Sequence, residues 1–88
     1  MKLLLADDHT LFRDSLVQYI ERAEPDSEIS VAKTLEGALE ILEKEPEKPD
    51  LILLDFRMPG MNRLEGLRRV RQGWPDIPVA LLSGIAEA

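Results

Sequence analysis

The chain has 88 residues, 44% hydrophobic and 32% charged, with a formal net charge of −6 and no cysteine. That is room for one domain, it excludes disulfides and thiolate metal centres, and its acidity argues against direct binding of nucleic acid. No apolar run approaches the ~20 residues of a membrane span, and Asp7-Asp8 cut the opening leucines too short for a signal peptide, so a cytoplasmic protein is expected.

The first predicted strand is Lys2–Ala6. A helix follows from Thr10 to about Ala23, with Phe12, Leu16, Tyr19, Ile20 and Ala23 recurring at helical spacing, until Pro25-Asp26 break it. Glu28–Ala32 alternates, Ile29 and Val31 standing between polar neighbours, as an edge strand or a strand with one covered face does. Thr34 is the expected N-cap of a second helix, whose Leu35, Ala38, Leu39 and Leu42 sit at i, i+3, i+4 and i+7; Pro46 and Pro49 close it. Leu51–Leu54 is a third strand running onto Asp55. Leu64–Gln72 is a third helix through Leu64, Leu67 and Val70, stopped by Gly73 and Pro75. Pro78–Leu82 is the fourth strand. The bland reading of the arginines at 57, 63, 68, 69 and 71 is a solvated helix face.

Strands alternating with helices predict an α/β fold with an open parallel sheet and helices on both faces. In such sheets, sites form beyond the carboxyl ends of the strands, where strand order reverses. The first strand ends on Asp7-Asp8, the third on Asp55. If these strands are neighbours, three carboxylates meet, and close anions either raise a carboxylate pKa or recruit a cation. Oxygen ligands without cysteine favour a hard ion, and Mg²⁺ suits few carboxylates plus water. A carboxylate beside Mg²⁺ can also attack a phosphoryl group. Pro59-Gly60 supply the central residues of a type II turn, expected to hold the backbone after Asp55 over the site, where a main-chain carbonyl could add a ligand. Ser83, at the end of the fourth strand, could hydrogen-bond a phosphoryl oxygen. Against this stand simpler roles: each acid as a turn or cap residue, Ser83 as a turn hydroxyl, Met58 and Met61 as loop packing. His9 is read as a helix-start residue on the rim and not a ligand.

The segments "LLLADDHTLFRDSL", "PDLILLDFRMPGMNRLEGL" and "IPVALLSG" together resemble the receiver domain of bacterial two-component response regulators, over residues 2 to about 84. The D-D-H-x-x-x-R opening is most similar to receivers that precede a helix-turn-helix DNA-binding domain. The resemblance implies a flavodoxin-like fold, incomplete here, with three helices and four strands in the order 2-1-3-4, spanning residues 1–88 as one truncated domain without its output domain. It implies that Asp55 is the phosphoacceptor, that Asp8, supported by Asp7, binds Mg²⁺ with Asp55 and the Arg57 backbone carbonyl, and that Ser83 is the switch hydroxyl. The implied phosphodonor is a sensor histidine kinase, and the chain is an acceptor rather than an enzyme. Two departures stand out. Arg63 occupies a place where the family usually has a small residue. The fifth strand, with its lysine, is missing, so no catalytic lysine is expected and the fourth strand becomes a bare edge. Val79, Ala80, Leu81 and Leu82 are therefore expected to pair with a second copy. The alternatives are a receiver-like assembly module without phosphotransfer, and an Mg²⁺-dependent phosphohydrolase with an aspartyl nucleophile.

Overall fold

A computed structural model of the chain describes residues 1–62 and 64–82. Its elements are β1 (Lys2–Ala6), α1 (Thr10–Ala23), β2 (Glu28–Ala32), α2 (Leu35–Lys44), β3 (Leu51–Asp55), α3 (Leu64–Gly73) and β4 (Val79–Leu82). The four strands form one parallel sheet in the order β2-β1-β3-β4, the order that the family resemblance implies. The chain leaves β1 for β2 on one side and later adds β3 on the other, so the direction of winding reverses between β1 and β3.

One face of the sheet carries the main core. Leu4 and Ala6 of β1 and Ile52 and Leu54 of β3 pack with Leu35, Ala38 and Leu42 of α2 and Val70 of α3. The α2 spacing read from sequence is thus the observed buried stripe. Thr34 caps α2 as expected, its hydroxyl accepting from Gly37 N–H at 3.0 Å. Met58 and Met61, expected only to pack a loop, are nearly fully buried in this core and pin the segment after β3 to it.

The other face differs from expectation. Leu3 and Leu5 are buried there, but Phe12 and Tyr19 of α1 are exposed, Tyr19 by 71%. The buried residue of α1 is Arg13, and the inward stripe continues through the half-buried Leu16, Val17 and Ile20. The inward face therefore differs from the reading that hydrophobicity alone suggests: it includes Arg13, which donates to the Asp7 carbonyl, and leaves out Phe12 and Tyr19.

Boundaries shift slightly. Asp55 is the last residue of β3 and pairs with Leu82, α3 runs to Gly73 rather than Gln72, and β4 begins at Val79. Pro78 lies outside the strand, but its carbonyl still accepts from Ile52 N–H at 3.0 Å. β2 is an edge strand, as its alternation suggested, with Ile29 half-buried and Val31 40% exposed. β4 is the other edge: among the described residues only β3 pairs with it, Ala80 is exposed and its neighbours are half-buried.

Candidate functional site

The carboxyl ends of β1 and β3 lie side by side, since Ala6 is in register with Leu54. The next residue on each strand is an acid. Asp7 and Asp55 are buried, 1% and 6% exposed, while Asp8 and His9 face solvent. One ligand atom from each of Asp7, Asp8, His9 and Asp55 lies within 4.8 Å of all the others. The convergence expected of three carboxylates from two strands is therefore present.

Backbone N–H groups hold the two buried acids. Asp7 Oδ1 accepts from His9 N–H at 2.7 Å, and Asp55 Oδ1 accepts from Arg57 N–H at 3.0 Å. Arg57 is placed by the chain that follows. Met61 N–H bonds the Met58 carbonyl at 3.2 Å and Gly60 has φ +94°, so Pro59-Gly60 form the turn expected of them. The turn docks on the start of α2, where Leu35 N–H donates to the Pro59 carbonyl at 3.0 Å.

His9 starts the helix on the rim of the site, as its place in the sequence suggested. It is the N-cap residue of α1 and largely exposed, yet its ring reaches over the acids. Nδ1 lies 3.2 Å from Asp7 Oδ1, Asp8 Oδ1 and Asp55 Oδ2. The hydrogen bonds to Asp7 and Asp55, and the charge of Asp8, hold the imidazole pKa above its ordinary value. Burial pushes the Asp7 carboxyl up, helped by the nearby Asp55 charge and opposed by the His9 N–H. Both shifts express one condition: this corner holds more negative charge than it can solvate, and favours any positive charge placed in it.

The donor set fits a hard divalent cation. Three carboxylates supply oxygens, and the exposed side of the cluster leaves room for the waters that Mg²⁺ retains. Among the described residues, the lysines with recorded partners serve elsewhere: Lys2 pairs with Glu45, Lys44 with Glu40, and Lys48 Nζ donates to the Glu45 carbonyl. Ser83 and Arg63 lie outside the described residues.

Arg13, the arginine of the D-D-H-x-x-x-R opening, was given no role by sequence reasoning, yet it reaches the acid pair. Its Nη1 donates to the Asp7 carbonyl oxygen at 3.3 Å from beneath the first turn of α1. The available signal was a charged residue in register with Leu16, Val17 and Ile20.

The family model for the response regulator receiver domain matches residues 3–88. The chain belongs to the response regulator receiver family. This receiver is 43% identical over 82 residues to the glycerol metabolism activator of Pseudomonas putida, covering 93% of the chain and 37% of that protein. A LuxR family DNA-binding response regulator from Silicibacter pomeroyi superposes with a TM-score of 0.78 at 33% identity, over 92% of this chain and 62% of that one. A CheY-like receiver domain protein from Methanospirillum hungatei gives a TM-score of 0.82 at 28% identity, over 94% of this chain and 63% of that one. The receiver thus spans little more than a third of the curated relative. None of its helices among the described residues is long and apolar enough to cross a membrane.

Proposed function

We propose that this receiver is a phosphoacceptor, with Asp55 as the acceptor and Mg²⁺ as the cofactor, serving a response regulator that acts on transcription. The observation that carries the reading is the clustering of Asp7, Asp8 and Asp55 at the ends of adjacent strands. Asp7, Asp8, Asp55 and the Arg57 carbonyl would hold the ion. Bound there, Mg²⁺ would offset the charge of the carboxylates and of phosphoryl oxygens. A sensor histidine kinase is the proposed donor, in keeping with the family.

The chain's own part is to orient and to accept. Arg57 N–H fixes one Asp55 oxygen and so sets the plane of the carboxylate. In the transfer, an Asp55 oxygen forms a bond to phosphorus while the bond between phosphorus and the donor nitrogen breaks. The electron pair stays on that nitrogen, which takes up a proton. Ser83 follows Leu82, the register partner of Asp55, and is the proposed hydroxyl donor to a phosphoryl oxygen.

The test is intact mass after incubation with acetyl phosphate and Mg²⁺, for the wild type and Asp55→Asn. A gain of one phosphoryl group in the wild type alone is expected. No gain at any donor concentration, or an equal gain in the variant, refutes the reading. A second reading, assembly without phosphotransfer, rests on the edge of β4 that no other strand covers among the described residues. A second copy would pair there antiparallel across a two-fold axis.

A further inference from the structure

We propose that Arg13 is a positioning residue for the acid pair, a reading that rests on the cation site proposed above. Arg13 is 9% exposed, whereas Arg22, Arg57, Arg68, Arg69 and Arg71 are exposed. It occupies an inward position of α1, ahead of Leu16, Val17 and Ile20. A leucine or methionine would seal that surface without the cost of burying a guanidinium. The side chain spends that cost on one acceptor, the Asp7 carbonyl oxygen, 3.3 Å from Nη1. Its remaining recorded contact is weak, Nε to the exposed Asp14 carboxylate at 3.8 Å.

The choice of acceptor matters because of peptide planarity. The Asp7 carbonyl belongs to the rigid unit that joins Asp7 to Asp8, so holding its oxygen orients both Cα atoms. The preceding unit is held as well, because Asp7 N–H donates to the Ala32 carbonyl at 2.9 Å. With both flanking planes fixed, Asp7 can turn only about its side-chain bonds, and its Oδ1 is already engaged by His9 N–H. Arg13 therefore acts through Asp7 and Asp8 on whatever cation they hold, without touching it. Groups that orient metal ligands in this way typically change affinity by about 10- to 100-fold when removed.

The experiment is an Mg²⁺ titration of the full chain, followed by the Asp8 and His9 amide shifts, with urea midpoints measured in parallel. Arg13→Met keeps the bulk and removes the donor; the Mg²⁺ half-saturation point is expected to rise roughly tenfold. Arg13→Lys can still reach a carbonyl and should recover part of that loss. Ile20→Ala, on the same helix face and away from the acids, should lower the urea midpoint and leave Mg²⁺ half-saturation unchanged. A less stable Arg13→Met with wild-type Mg²⁺ half-saturation means a purely structural arginine and overturns the proposal. If Arg13→Met does not fold, Arg13→Leu, which also lacks the donor, decides, and unchanged half-saturation there overturns it equally. A wild type that shows no Mg²⁺ response overturns the cation site itself, and this inference with it.

Discussion

Replacing Gly66 with alanine should destabilise the fold even though alanine is the better helix former. A Cβ at this position would lie 2.6 Å from Met61 Sδ, 2.8 Å from Met61 Cα and 2.9 Å from the Met61 carbonyl oxygen. The sulfur can swing aside, but the Cα and carbonyl belong to the backbone, and that carbonyl also accepts from Gly66 N–H at 2.7 Å. Relief therefore means moving α3 away from the loop or the loop away from the core, where Met61 is 1% exposed. Overpacking of this kind costs about 1–3 kcal/mol, and the strained hydrogen bond adds about 1 kcal/mol. Alanine returns about 1 kcal/mol in helix propensity. The net is a loss of about 2 kcal/mol, which in a domain of this size lowers Tm by roughly 10 °C. Thermal and urea unfolding followed by circular dichroism measure it. A variant as stable as the wild type, or more so, would refute the claim that this close approach is fixed by the backbone.

Thr34→Ala removes the N-cap of α2 and should cost about 1 kcal/mol, read as a lower urea midpoint; Thr34→Ser should restore it. In metal-free buffer the His9 imidazole should titrate above its ordinary value by NMR, and added Mg²⁺ should bring that value down as the two cations compete. A histidine raised in the fold adds stability that is complete below about pH 6.5 and is lost as pH rises through the folded-state value. The raised Asp7 acts with the same sign at lower pH, since ionising it disfavours the fold. His9→Gln should therefore flatten the fall in urea midpoint between about pH 6 and 8, and an unchanged slope would refute the pairing. At micromolar concentration the 88-residue chain should sediment as a dimer or larger species through β4. Leu81→Lys should shift it toward monomer, whereas a wild type that stays monomeric rules out that edge as an interface.

Much of this was legible from residue patterns because the informative signals were local. The Thr34 cap, the Pro59-Gly60 turn itself and the apolar residues at i, i+3, i+4 and i+7 of α2 each depend on a few adjacent residues, and each forms as read. The acid cluster was legible for a different reason: parallel strands put all their carboxyl ends at one edge, so acids ending two neighbouring strands must meet. What escaped depended on distant partners. Hydrophobic spacing could not place α1 fully, because Arg13 bonds an acceptor just beyond β1, the Asp7 carbonyl, and the aliphatic stem of an arginine can lie along apolar surface. The reach of the His9 ring to three acids escaped for the same reason, since one of them lies 46 residues away.

The acid pair is mechanically unequal. Asp7 is clamped by N–H, by carbonyl and by carboxylate, whereas the Asp8 side chain is 35% exposed and meets the still more exposed His9 ring. The site therefore has a stiff jaw, made of Asp7 and Asp55, and a compliant one. If a cation occupies it as proposed, ions of different radius would be met by adjusting the compliant jaw alone, so the strand ends would not need to move when the occupant changes. Such a site would tell divalent cations apart by hydration more than by size, and strain from a poor fit would be spent in solvent before it reached the sheet.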